Sequence, residues 1–344
     1  MNSENKVALA NNKNYKSLFR DQRVLLGVII IIIIIAVSIV NKNFLKPANI
    51  LSLLQQISVL GLLTMGMAKL MLSGGIDLSI GNIMILSCCV MSVLISGGRT
   101  TLASGATAED IGNTVGLTSV PVAIIIGMLV AIAAGALNGL IVSKTKTMPL
   151  IITLGMSSVY YGIALIITGG AFHSFMLAFE GLRVARIGNV IPMTLIIFFI
   201  MVIVAFVLVN RTKFGRRIVA IGGNEAVAFL SGINVDRHKI ITYTISGFFC
   251  GIAAILYATR LNSVTAGGGA GYELNALTAC VVGGITFDGG KGSIAGAFLG
   301  VFFMGLINNV MNILSIDSYY QTMISGLIIV VAVILSNLNR MRRE

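Results

Sequence analysis

Ten stretches of the chain are continuously apolar: residues 24–40, 56–72, 80–97, 120–143, 149–168, 190–209, 240–259, 275–287, 293–311 and 320–338. A helix needs about 20 apolar residues to cross a bilayer core. Eight of the stretches reach or approach that length, while 56–72 and 275–287 are short. Transmembrane barrels show alternating segments of about 10 residues, whereas these runs are unbroken and longer. The pattern therefore predicts an all-α polytopic membrane protein of about ten transmembrane helices. Pro47, Pro121, Pro149 and Pro192 each fall at or near the start of a run, where a helix loses no hydrogen bond to a missing N–H.

Two glycine-marked breaks interrupt this pattern: LSGGIDLSIGNI at 72–83 and VGGITFDGGKGSIAGAF at 282–298. Each follows a short run and precedes a longer one. The pairs Gly74–Gly75 and Gly283–Gly284, followed by Asp77 and Asp288, read as a weak internal repeat. Broken or short helices at matching positions of two halves point to a transport pathway; two ordinary glycine turns are the simpler alternative. Other glycines inside runs, such as Gly61, Gly66, Gly135, Gly139, Gly296, Gly300 and Gly305, fit close helix packing.

Composition agrees: 56% of residues are hydrophobic and 10% charged, against about 25% charged in soluble domains. A soluble enzyme, a disordered chain and an ordinary nucleic-acid binder are excluded on that ground. The net charge of +12 follows from where the cations lie rather than from a nucleic-acid partner. With both termini inside, the inner segments hold 17 Lys or Arg, the outer ones six (Lys42, Lys46, Arg99, Arg183, Arg186 and Arg260), and Lys69 remains in a span. The positive-inside rule therefore predicts an N-in, C-in chain. It comprises a basic cytoplasmic tail 1–23, one transmembrane domain 24–338 with a cytoplasmic loop 210–239, and a cytoplasmic tail 339–344. The first run is too long for a signal-peptide core and reads as a retained span.

Cys88, Cys89, Cys250 and Cys280 lie in apolar runs without metal-ligand spacing, and the two histidines are far apart in sequence. No metal, cofactor or catalytic residue is expected. Buried ionisable groups, which ion-driven carriers need, are scarce. This favours an uncharged cargo and an external energy source over a stand-alone secondary carrier. LSGG at 72–75 and GGITFDGGKGS at 283–293 only mimic ATPase motifs: Ile76 follows the first, and Ile285 stands where a phosphate loop needs glycine.

The loop RTKFGRRIVAIGGNEAVAFLSGINVDRHK at 211–239 predicts a short amphipathic helix. Gly223 precedes it, Asn224 is the N-cap and Glu225 meets the positive helix end. Ala226, Phe229, Leu230 and Ile233 form one apolar face, and Gly232 is the stop. Docking of this face into a groove on a partner is preferred to lying flat on lipid. Within the spans, Asn82, Asn138, Thr153, Asn308 and Asn309 are candidate lining groups for a neutral cargo; helix–helix hydrogen bonding is the alternative role.

Six segments together resemble the permease subunits of ribose-type ABC sugar importers: GGIDLSIG (74–81), GALNGLIVSK (135–144), PLIITLG (149–155), GRRIVAIGGNEAVAFLSGINV (215–235), GYELNALTACVVGGITFDGGKGS (271–293) and SYYQ (318–321). The resemblance covers roughly residues 45–338 in order and spacing. It departs at Asn275, where the family commonly has Asp. The resemblance implies a multi-pass subunit of the bacterial inner membrane. Its implied partners are ABC ATPase subunits, an extracytoplasmic sugar-binding protein and a second permease chain. It also implies that the helix from Glu225 to Leu230 is the coupling helix, and that the cargo is a monosaccharide; relatives carry nucleosides or other small neutral solutes.

Overall fold

The computed structural model describes residues 22–97, 117–188 and 191–341. Arg99, all but the last two residues of the basic tail, and residues 342–344 of the terminal tail lie outside the described residues. Each apolar run contains a helix, and three further helices lie between the runs. Among the described residues the helices are, in chain order, α1 (Gln22–Val40), α2 (Pro47–Leu72), α3 (Ile80–Ser96), α4 (Val120–Thr145), α5 (Pro149–Thr168), α6 (Glu180–Val184), α7 (Met193–Arg211), α8 (Lys213–Gly223), α9 (Glu225–Leu230), α10 (Val235–Leu261), α11 (Tyr272–Val282), α12 (Ile294–Ile313) and α13 (Ser318–Met341). Among the described residues seven are long and apolar enough to cross a membrane: α1, α2, α4, α5, α7, α10 and α12. The apolar helix α3 and the apolar part of α13, Tyr319–Ile334, are shorter, and α11 has only 11 residues. The protein is thus a polytopic, mostly helical membrane protein.

One of the two runs expected to be short is not. Helix α2 starts nine residues ahead of the run at 56, with Pro47 in its first turn, and has 26 residues. The apolar run coincides with its buried part: every residue from Ile57 to Leu72 is buried. The earlier turns carry Ser52, Gln55 and Gln56, which lower the local hydropathy without ending the helix. Pro121 and Pro149 likewise sit in the first turns of α4 and α5, and Pro192 caps α7.

Helices α2, α10 and α12 form the centre, more than half buried along their apolar windows. Helices α1, α4, α5 and α7 surround them and expose side chains such as Ile31, Ile32, Ile166 and Ile203. Lipid is the solvent for that surface, so no polar outer face is needed. Small residues let the backbones meet. A methyl on Gly139 would stand 2.8 Å from Tyr243 Cβ and 2.9 Å from Ile240 Cα, so α4 lies directly on α10. Gly296 and Gly300 of α12 meet Gly283 and Ala279 in the same manner, closing α12 onto α11.

Two ribbons supplement the helices. Strand β1 (His173–Ser174) pairs antiparallel with β4 (Ser263–Val264), and β2 (Arg186–Ile187) with β3 (Ile191–Pro192). After β4 the chain makes a 3-10 turn, Ala266–Gly269, that reaches the first turn of α3: a methyl on Gly269 would stand 2.5 Å from the Gly81 carbonyl oxygen. The segment 73–79 of the first glycine break is therefore sunk within the helices. Ser73, Gly75, Asp77 and Ser79 are buried, and only Gly74 is exposed.

Candidate functional site

The loop between α7 and α10 folds into two successive helices. Thr212 caps α8 by accepting from Gly215 N at 3.1 Å. Ile218 and Ile221 turn inward while Arg216 and Arg217 remain exposed. Asn224 ends α8 and opens α9, its Oδ1 accepting from Val227 N at 3.0 Å. Lys239 of α10 donates to Glu225 Oε2 at 2.7 Å, tying the first turn of α9 to the bundle. Ala228 packs with Ile221 and Val235. Gly232, at φ +80°, reverses the chain. What α9 leaves outside is apolar: Val227, Phe229 and Leu230 are 57%, 69% and 83% exposed.

Of the expected docking face, Ala226, Phe229 and Leu230 are exposed and only Ile233 is corrected; Ala228 is the residue that seats α9 on the protein. Ile233 lies beyond the end of α9, half-buried against the same small cluster, and Val227 joins Phe229 and Leu230 at the tip. A six-residue helix has too few turns for an i to i+7 face; the turn at Gly232 redirects Ile233 inward.

At the first break, α2 ends in a Schellman cap. Gly75 N donates to Leu70 O at 2.8 Å, Gly74 N to Met71 O at 3.0 Å, and Gly74 has φ +76°. The chain then runs through a buried polar network. Asp77 Oδ1 accepts from Ser79 N at 2.9 Å and Ser79 Oγ at 2.6 Å. Asn138 Nδ2 of α4 donates to Ser79 Oγ at 2.7 Å and approaches both Asp77 oxygens at 3.3 and 3.4 Å. The Tyr160 hydroxyl of α5 stands 2.8 Å from Asn138 Oδ1. Leu78 N donates to Thr153 Oγ1 at 3.1 Å, Asn82 Nδ2 to Ser157 Oγ at 2.8 Å, and the Tyr243 hydroxyl of α10 to Ile76 O at 2.9 Å.

Asp77, Asn82, Asn138 and Thr153 are thus brought together, and within the chain they fasten the break to α4 and α5. Asn309 has a separate role: it exchanges two hydrogen bonds with Asn49, at 3.0 and 3.2 Å, joining α12 to the start of α2. Its neighbour Asn308 is half-buried.

The second break uses the same cap. Ile285 N donates to Cys280 O and Gly284 N to Val281 O, both at 2.9 Å, and Gly284 has φ +90°. The repeat is thereby shifted by one residue from the sequence pairing: Gly284 corresponds to Gly74, and Gly283 to Ser73. The acids do not correspond, since Asp288 is exposed and Asp77 is buried. The two breaks meet directly, Gly290 N donating to Leu72 O at 3.0 Å.

Sequence reasoning missed Ser79, Ser157, Tyr160 and Tyr243 in the network. The tyrosines carried a usable signal, because a hydroxyl inside an apolar run requires a partner. Lys69 is fully buried, with Nζ 3.3 Å from the centroid of Phe249 and no hydrogen-bond partner among the described residues.

The chain is thus a helical membrane protein that carries a small, firmly seated apolar projection at α9. Residues 49–333 match the family model for the permease component of the branched-chain amino acid transport system. The chain belongs to this family: it is a multi-pass membrane permease of the bacterial ABC importer type and not itself an enzyme. It is 36% identical to the ribose import permease protein RbsC of Bacillus subtilis (strain 168), over 90% of each chain. It is 34% identical to the D-allose transport system permease protein AlsC of Escherichia coli (strain K12), over 94% of this chain and 93% of that one. Identity to the galactose/methyl galactoside import permease protein MglC of the same strain is 32%, over 98% and 100%. No solved structure matches.

Proposed function

We propose that this chain carries a monosaccharide across the bacterial inner membrane by alternating access, driven through α9 by a separate ABC ATPase. As an ABC permease it works with an ATPase and a binding protein. The observation that carries the coupling reading is the tip of α9. Val227, Phe229 and Leu230 project from a helix that is capped, ion-paired and seated on its buried side. Such an arrangement presents apolar anchors on a rigid mount, as helix-in-groove docking requires. Gly223 and Gly232 bound this lever, and Glu225 fixes its first turn.

The cargo reading rests on the relatives, whose names specify ribose, D-allose and galactose. A neutral sugar also suits spans with few free charges. The chain pairs with a second permease chain, identical or related, and cargo passes between them after release from an extracytoplasmic binding protein. The domain boundaries at 24 and 338 and the N-in, C-in threading with about ten membrane passes belong to the same reading.

Two measurements test it. Radiolabelled ribose, allose and galactose, with a nucleoside as comparison, are offered to cells that lack other uptake routes and express the chain with its partner subunits. Uptake of one of the sugars is expected; uptake of the nucleoside alone would assign the cargo otherwise. In the second, Phe229→Asp is expected to lose the co-purified ATPase while the chain remains in the membrane. A Phe229→Asp complex that stays intact and transports normally would end the docking reading.

A further inference from the structure

Glycines of three segments far apart in sequence meet at one point beside α9. They are Gly222–Gly223 at the end of α8, Gly74 of the first break and Gly289–Gly290 of the second. A methyl on Gly222 would fall on the Leu72 carbonyl oxygen and 2.6 Å from Gly290 N. One on Gly289 would stand 2.7 Å from Gly74 N and 2.9 Å from Gly222 Cα, and one on Gly290 2.7 Å from Gly223 Cα. These neighbours are backbone atoms, which cannot rotate aside as a side chain can. Gly289 and Gly290 also have φ of +85° and +68°, which favour glycine. The Gly290 N–H to Leu72 carbonyl bond closes the contact.

We infer that this glycine junction is the positioning element through which movement of α9 reaches both helix breaks at once. The inference rests on the proposal that α9 is the driven lever, and it extends that proposal upward into the membrane. Asn224 joins the junction to α9 without an intervening residue, because Gly223 is its chain neighbour. A second arm runs from the far end of α9: the turn at Gly232 leads into α10, whose Tyr243 hydroxyl holds Ile76 of the first break. The first break is gripped from both sides of the lever, at Leu72–Gly74 by α8 and at Ile76 by α10. The second break is gripped through Gly289–Gly290. Beyond the breaks lie α3 and, across the Gly283–Gly296 contact, α12. Backbone packed on backbone gives little compliance, so a displacement of the lever is delivered to these helices together.

The test compares Gly222→Ala with Gly162→Ala, a helical glycine of α5 outside the junction, in the complete complex with its ATPase and binding protein. A methyl on Gly162 meets nothing within 4 Å, so that substitution controls for helix propensity and assembly. Gly222→Ala is expected to keep its co-purified ATPase and most of its ATP hydrolysis while uptake per ATP falls about tenfold or more, as for residues that transmit rather than bind. Gly162→Ala is expected to transport like the native protein. Gly222→Ala with unchanged uptake per ATP would overturn the inference, and so would its loss of bound ATPase, which would make the junction part of docking. Loss of ATPase from Phe229→Asp tests the docking reading independently.

If Gly222→Ala does not accumulate, cross-linking decides. The pair Gly223→Cys and Lys291→Cys flanks the Gly223–Gly290 contact, and the native cysteines are buried. Joined by a short dimaleimide, it is expected to react equally in nucleotide-free and vanadate-trapped complexes. A large drop in yield in the trapped state would show that the segments separate, contrary to a junction that moves as one.

Discussion

At the scale of single residues, the buried carboxylate of Asp77 explains how a polar break survives among apolar helices. Ser79 and Asn138 meet its oxygens, and Tyr160 then satisfies the Asn138 carbonyl. Removing one member leaves others buried without partners, at about 1–3 kcal/mol. Asp77→Ala is therefore expected to lower the unfolding temperature in detergent by more than Asp77→Asn, which retains an acceptor for Ser79. Equal losses for the two variants would show that hydrogen bonding is not what holds the break. Asp77, Asn82, Asn138 and Thr153 were legible in the sequence as polar residues in or beside apolar runs. Their partners were not, because Asn138 and Tyr160 come from different helices and no spacing along the chain encodes that contact. Lys69 is legible as an intramembrane cation, but its resting place over Phe249 is a product of helix packing.

At the scale of elements, α9 depends on its caps more than on its length. Six residues cannot sustain a helix alone, so the Asn224 cap, the Glu225–Lys239 pair and the seat of Ala228 fix it jointly. Asn224→Ala is expected to cost about 1 kcal/mol of local stability, read as faster amide exchange over residues 227–231 with the membrane helices unaffected. Unchanged exchange would remove Asn224 from the account. The cap and the stop at Gly232 could be read directly from residue types. The inward residue could not: the periodicity defined only the docking face, and Ala228 is seated because Ile221 and Val235 wait on its side. The length of α2 was obscured in the same manner, since Gln55 and Gln56 divide a hydropathy profile but not a helix. The two breaks were visible as glycine pairs. Their meeting with each other and with Gly222 was not, since it depends on which helices become neighbours.

At the scale of the whole molecule, the division between a buried centre of α2, α10 and α12 and an apolar exterior fits a protein solvated by lipid. In the proposed N-in, C-in threading, α9 lies in the cytoplasm. An impermeant thiol reagent is accordingly expected to reach Leu230→Cys only from the cytoplasmic side and Leu177→Cys only from the other; both native residues are exposed. Labelling from the opposite faces would invert the threading and detach α9 from any cytoplasmic ATPase. In the proposed function the chain is a passive wall moved through α9. Its most direct test is sugar uptake into proteoliposomes holding the complete complex, with ATP on the ATPase side, compared between the native chain and Phe229→Asp. The native complex should accumulate sugar only with ATP, and the variant should accumulate none; accumulation by the permease alone, or undiminished uptake by Phe229→Asp, would contradict the account.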